Sequence, residues 1–485
     1  MIRSISDLDG QRLRTDICVI GSGAAGLTLA AELLDTGLQV VVLAGGPEQI
    51  EAAAQDLYGT EVVGMPLAGA VQLRYRVLGG STRRWAGQLL PFVAEDFAAR
   101  EWVPHSGWPL SLADLAPYYT RAAHALGVPP FPEAGRPIRS PDFPALAASS
   151  CIDVLIGASV TELHADASGA IERARVRGPE SEDAELEART FVLCAGGLEN
   201  ARILLASEVG VEHDLVGRFF QEHGGIGLPF ATCDARRLRE LLGQRRSNGI
   251  SRQPYLRASP ELQRTKKLPG ASAGIRFAQP KELVAGKELV RALRDPSRRA
   301  AAPRNLRTVV RRPGPLVRVA AGRFLAGRPA QDSLGTPSLM AATEQVPNPQ
   351  SRVSLGGARD RLGVPRLVVD WRLTDLDATA WRVWIEVLAI ELERAGLATV
   401  DLDATPPLDD AEALSGLLVD AGHHMGTTRM ALRSEEGVVD PDCRVFGTEN
   451  LFIVSSSVFP TGGTSNPTLT IIALAIRLAD RVRGG

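Results

Sequence analysis

Gly21, Gly23 and Gly26 fall in G-x-G-x-x-G spacing, and the residues around them constrain the fold more than any other stretch of the chain. Asp16 to Ile20 is a short β-branched apolar run suited to a buried parallel strand. Leu27 to Leu34 carries apolar residues at helical spacing until Gly37 stops it, and Val40 to Leu43 reads as a second strand. In that setting Gly21 permits the tight turn, Gly23 lets the backbone approach a pyrophosphate, and Gly26 lets the helix pack closely on the strand. Ala24 and Ala25, between Gly23 and Gly26, join them as cofactor-binding candidates. A glycine-rich turn without a nucleotide is the alternative, and the two legible strands argue against it.

One expected part is missing. The acidic residue that takes a ribose hydroxyl at the end of the second strand is replaced by Ala44, and Glu48 is the nearest substitute. No Lys or Arg lies between Leu43 and Gly59, so a 2′-phosphate has no cationic partner there. The dinucleotide is therefore FAD or NAD.

With 485 residues, 45% hydrophobic and 23% charged, the chain has room for two or three domains and the composition of a globular protein. No stretch is apolar for long enough to read as a membrane span, and the first residues lack the apolar core of a secretion signal, so a cytoplasmic location is expected. Cys18, Cys151, Cys194, Cys233 and Cys443 form neither a C-x-x-C pair nor a Cys/His cluster, which argues against structural zinc or a disulfide framework. No metal is expected. Between Asp234 and Arg328 stand 24 Lys and Arg against 6 Asp and Glu. A solvated, arginine-rich helical face explains this best; an anionic substrate, a redox partner or another subunit's acidic surface are the alternatives, leaving a homo-oligomer open. Nucleic acid is excluded for want of an accompanying motif.

Further along, LGGSTRRWAGQ (Leu78 to Gln88) suits a loop passing close to a ligand, with Gly79, Gly80, Ser81, Arg84 and Trp85 as cofactor contacts. Asp114 to Leu126 reads as a helix and the proline-rich 136–144 as a boundary. Cys151 to Val160, Ile171 to Val176 and Thr190 to Ala195 read as strands. Gly196, Gly197 and a helix from Glu199 to Ala206 follow, which makes Ala195, Gly196 and Asn200 candidates too. Residues 224–337 are the least legible. Beyond them, Glu344 to Leu373 reads as strands and turns, and Thr374 to Ala395 as an amphipathic helix whose Trp381, Trp384 and Leu388 face a core.

The sharpest chemistry lies near the end, in DAGHHMGTTRM (Asp420 to Met430) and in NLFIVSSSVFPTGGTSNPTLTIIALAIRLADRV (Asn450 to Val482). His423 and His424 lack a third partner at metal-ligand spacing. A neutral imidazole can instead take an alcohol proton, which makes the carbinol carbon a better hydride donor to a flavin N5.

These two segments, with VLCAGGLENARILLAS and VGRFFQEH before them, resemble the glucose-methanol-choline (GMC) oxidoreductases, and they occur in that family's order. The resemblance implies an α/β chain: a Rossmann-like FAD-binding domain of residues 1–100, 145–223 and 416–485, and an inserted α+β substrate domain of residues 101–144 and 224–415 built on an antiparallel sheet. It makes His423, three residues before Gly426-Thr427, the catalytic histidine and Asn466 its partner, with His424 in support. Ser456, Pro467 and Thr468 would meet the flavin, the last helix directing its N-terminus at the pyrimidine oxygen. The His and Asn pair and the NPTLT ending are similar to the pyranose oxidase and bacterial glycoside oxidase branch. Pyranose oxidases carry the flavin on a histidine before the Trp of an S-T-H-W loop. Arg84 stands at that place here, so FAD is expected to be noncovalent. The activity implied is oxidation of a secondary alcohol of a sugar, glycoside or polyol, with oxygen or another acceptor taking the electrons. A non-sugar alcohol and a hydroxynitrile-type lyase are the alternatives.

Overall fold

The computed structural model describes residues 1–485 other than 9, 129–145, 147–148, 181, 248–249, 278–280, 295–301, 315, 318–320, 322–336, 406–407, 409 and 485. The expected boundary at 136–144 and part of the basic segment lie outside the described residues.

The glycine unit stands at the centre of the largest sheet. Strand Arg12–Ile20 pairs in parallel with Val40–Ala44 on one side and with Asp183–Leu193 on the other. Ile152–Ile156 and then Ile2–Ser4 extend it past Val40–Ala44, also in parallel. Every residue of Val40–Ala44 is buried, as expected where both faces of a parallel sheet are covered. Asp183–Leu193 serves two partners: its first half pairs antiparallel with Ile171–Arg177, and Phe191 to Leu193 pair in parallel with Leu451–Ile453. The chemical C-terminal segment thus joins the same sheet as the glycine turn. The single strand expected over Cys151 to Val160 is two, Ile152–Ile156 and Ser159–Ala165, because Gly157 turns the chain at a φ of 72°.

Helices α1 (Ala24–Glu32), α2 (Leu112–Ala125) and α5 (Thr468–Gly484) pack together with this sheet around one apolar core. Arg121 of α2 bonds both Glu32 of α1 and Asp480 of α5, and Tyr119 Oη meets Thr470 Oγ1 at 2.8 Å. Two glycines of this unit leave no room for a side chain. A Cβ on Gly21, whose φ is 117°, would stand 2.4 Å from the Cys194 carbonyl oxygen, and one on Gly26 would stand 1.9 Å from that of Gly21.

The second sheet is antiparallel: Leu256–Arg257, Ala271–Phe277, Pro337–Thr343, Gly224–Leu228 and Val419–Asp420, in that order. Helix α4 (Asp375–Arg394) lies against it, burying Trp381, Trp384, Ile385 and Leu388 on Ile226, Ala273, Ile275 and Leu339. Full burial of such side chains stabilises by about 1.5–3 kcal/mol each. Thr374 caps α4 in a reciprocal box with Asp377, and Trp384 Nε1 donates to the Ser272 carbonyl at 3.0 Å. The hairpin Arg352–Arg359 and Pro365–Asp370 takes no place in this sheet. It pairs instead with Thr60–Val62, forming a small third sheet beside the nucleotide-binding half. The molecule is an α/β protein with a Rossmann-type parallel sheet that carries the glycine turn and a separate antiparallel sheet backed by α4.

Candidate active site

A cavity of about 530 Å³ reaches from the end of strand Val40–Ala44 to the His423 and Asn466 side chains. Gly21, Gly23, Ala24, Ala25, Gly80, Ser81, Arg84, Trp85, Ala195, Gly196, Ser456, Pro467 and Thr468 line it, as do both histidines and Asn466. Four expected positions do not. Glu48 is exposed, past a turn where Gly46 packs directly on the backbone of Arg76 and Val77. Gly26 is consumed by the contact between α1 and its own turn, and Gly79 by a bond from its N–H to the Ser22 carbonyl. Asn200 sits at the start of helix α3 (Glu199–Ser207), behind the cavity wall. Its Oδ1 accepts from Ala195 N at 2.9 Å, and its Nδ2 donates to Ser455 and Ser457 at 3.0 and 3.1 Å.

The triple serine is thereby accounted for. Ser455 and Ser457 face Asn200, whereas Ser456 Oγ donates to the His424 carbonyl at 2.6 Å. Backbone bonds from Gly426 to Ser456, Thr428 to Ser457 and Met430 to Val458 hold the histidine segment against it.

At the far end, where Ala44 left no acceptor, Arg76 takes the ground. Its Nε donates to the Gly45 carbonyl at 3.0 Å and its guanidinium reaches Ser159 Oγ at 2.7 Å. Beside it lies a buried ion-pair chain. Arg74 meets Glu199 at 2.8 Å, Glu199 meets Arg202 at 3.3 Å, and Arg202 meets Asp360 at 2.6 Å. Burial pushes the Glu199 carboxyl up, but Arg202, Arg74 and Arg76 together overcome it and hold it below its ordinary range. Sequence reasoning missed this cluster because its members come from three separated segments.

At the reaction end His423 Nε2 lies 3.3 Å from Asn466 Nδ2, and its Nδ1 lies 3.0 Å from Nδ1 of His223. One oxygen of Glu222 accepts from the backbone N–H of His223 at 2.8 Å and from that of His423 at 2.7 Å. Its other oxygen stands 3.6 Å from His424 Nε2, and neither atom has a hydrogen-bond partner. Burial raises the Glu222 carboxyl to about 8 against the pull of those N–H groups. Burial, then His223 and His424, holds the His423 pKa well below its ordinary value of 6.5. His424, stacked on Phe220, is pushed to about 3 by burial and by Arg74. The site is thus built from neutral groups. Glu222 and His223 lie in the VGRFFQEH segment, yet nothing in that segment alone announces that it meets His423.

A family profile described as GMC oxidoreductase matches residues 347–475, and one described as FAD binding domain matches residues 16–55. The chain thus carries GMC oxidoreductase sequence toward its C-terminal end and FAD-binding sequence near its start. A C-glycoside 3-oxidase of Microbacterium trichothecenolyticum is 35% identical over 124 residues, 25% of this chain and 22% of that relative's length. A 6'''-hydroxyparomomycin C oxidase of Streptomyces lividus is 23% identical over 96% of this chain and 91% of its own. Among solved structures, pyridoxine 4-oxidase from Mesorbium loti superposes with a TM-score of 0.57 at 21% identity, covering 96% of this chain and 99% of that one.

The residues of the cavity wall suit FAD. A Cβ added to Gly23 or Gly196, both on the cavity wall, would meet no atom within 4 Å, so glycine leaves open room where a diphosphate would pass. Helix α1 begins at Gly23 with no side-chain cap, leaving its first N–H groups to an anion. Among the described residues no group of three or more His, Cys, Asp and Glu is arranged to hold a metal, and no helix is long and apolar enough to cross a membrane.

Proposed function

We propose that the chain is a GMC oxidoreductase that oxidises a secondary alcohol of a sugar, glycoside or related polyol to a ketone. The observation that carries the reading is the pairing of His423 Nε2 and Asn466 Nδ2, 3.3 Å apart on the cavity wall. The Asn466 carboxamide orients the alcohol oxygen, and His423 Nε2 takes its proton, which raises electron density at the carbinol carbon. FAD, when bound, supplies the acceptor for the hydride that leaves that carbon. Gly21, Gly23 and Ala24 to Ala25 hold the diphosphate, Arg76 and Ser159 the adenosine half, and Ser456 with Pro467 and Thr468 the flavin end. Arg84 in place of a histidine keeps the cofactor noncovalent. The two oxidases named for a glycoside and a hydroxyparomomycin support a sugar-like substrate. Oxygen or another acceptor, a cytoplasmic location and a homo-oligomer complete the reading.

The test is the visible spectrum of the purified protein, followed without air as sugars, glycosides, polyols and sterols are added. Bleaching by a sugar or glycoside supports the proposal; bleaching by a sterol alone replaces it with the non-sugar alternative. A flavin that no alcohol bleaches overturns it in favour of a lyase. His423→Ala is expected to slow bleaching roughly 100-fold or more while FAD stays bound.

A further inference from the structure

We propose that His223 is a positioning residue that fixes the tautomer of His423, keeping its proton on Nδ1 and leaving Nε2 bare toward the cavity. The inference rests on the reading of His423 as the base. His223 Nε2 lies 2.9 Å from the Gly463 carbonyl oxygen and 3.2 Å from that of Gly462. Carbonyl oxygens only accept, so His223 carries its proton on Nε2. Burial drives the His223 pKa down and keeps the ring neutral, so its Nδ1 has a lone pair and no proton. Across the 3.0 Å Nδ1 to Nδ1 contact the donor is therefore His423. A neutral imidazole with its proton on Nδ1 has none on Nε2, the atom that meets Asn466. The tautomer a base requires thus follows from two backbone carbonyls, relayed through one ring.

The relay is held on both sides. Glu222 Oε1 binds the backbone N–H of both histidines, and the rings cross at 88° with centroids 5.1 Å apart. Glu344 accepts from Gly463 N at 3.1 Å while paired through both oxygens with Arg100, at 2.7 and 3.0 Å, so the carbonyl-bearing loop is itself clamped. Of the other charged or titratable groups near His423, His424 and Glu222 flank it, Arg74 acts through His424, and Asp420 acts through Glu222. None of them is hydrogen-bonded to the His423 ring in the structure; His223 and Asn466 are.

The test is nitrogen NMR of the FAD-loaded protein with ¹⁵N-labelled histidine, the His423 and His223 signals being assigned by their loss in His423→Ala and His223→Asn. The expected result is His423 protonated on Nδ1 and His223 on Nε2. His423 protonated on Nε2 in the wild-type protein would overturn the proposal, while the part His423 plays in proton transfer is read separately, from the reduction rate of His423→Ala. Conversely, an unchanged reduction rate in His423→Ala removes the base reading whatever the tautomer. His223→Leu, which leaves no acceptor, is expected to slow flavin reduction roughly tenfold or more without changing FAD affinity. His223→Asn, which keeps an acceptor oxygen near the Nδ1 position, is expected to restore most of the rate. Equal rates in the Leu and Asn variants would also overturn the proposal.

Discussion

The two ends of the cavity solve opposite problems with opposite electrostatics. Beside Arg76, Arg74, Glu199, Arg202 and Asp360 are buried as an alternating chain of charges, each satisfied by its neighbours, with Arg74 near enough to His424 to lower its pKa. At the reaction end three histidines, an asparagine and a carboxyl of raised pKa pack together with no ion pair closer than 3.6 Å among them. Charge at the first end fixes shape. Its exclusion from the second leaves a nitrogen lone pair free to do chemistry, because a base already paired with a carboxylate would be charged before the alcohol arrived.

The largest expected effect of breaking this contrast lies at the charged end. Arg202→Met leaves Glu199 and Asp360 buried with too little positive charge, and is expected to cost about 3–5 kcal/mol in denaturant unfolding. A loss under about 1 kcal/mol, the range of exposed pairs, would mean that the network is solvated. Next comes Arg76→Ala, which removes the guanidinium bridging Gly45 and Ser159. FAD affinity, measured by quenching of flavin fluorescence, is expected to weaken roughly tenfold, about 1.4 kcal/mol. Unchanged affinity would place the adenosine half elsewhere.

The smallest effect sharpens the neutral end. The His424 pKa falls from 6.5 unfolded to about 3 folded, so its contribution to stability is complete above 6.5 and is lost as the pH falls from there toward 3. Glu222, raised to about 8, works in the other direction, losing stability as the pH rises from 4.5 to 8. His424→Phe, with a ring that can still stack on Phe220, isolates the histidine term. At about pH 6 the wild type is expected to have lost about 1 kcal/mol that the variant retains. Parallel stability curves for the two proteins would show that His424 is not buried as a neutral ring.

What the sequence made legible follows the same division between local and distant causes. The glycine turn, α1 and its flanking strands were readable because their residues are neighbours in the chain, and the adjacent His423 and His424 were conspicuous for the same reason. Arg76 was not, because it reaches the end of strand Val40–Ala44 from a separate segment, and the loss of an acid at Ala44 gives no sign of it. His223 was unread as a partner for His423 because two hundred residues separate them. The substrate-side strands Ala271–Phe277 and Pro337–Thr343 escaped detection for a packing reason. ASAGIRF and PSLMAAT are rich in small residues, which leave room for Trp381 and Trp384 of α4 and so lack the β-branched pattern of an ordinary strand. The hairpin at Arg352–Asp370 was readable as strands, but its pairing with Thr60–Val62 was not.

The most direct test of the neutral reaction end is the pH dependence of anaerobic flavin reduction by a saturating substrate. Because burial, His223 and His424 hold His423 well below its ordinary 6.5, the rate is expected to stay constant as the pH is lowered through 6.5 and to fall only at more acid values. A rate that halves at or above pH 6.5 would contradict the account, since His423 would then titrate as an ordinary, solvated histidine.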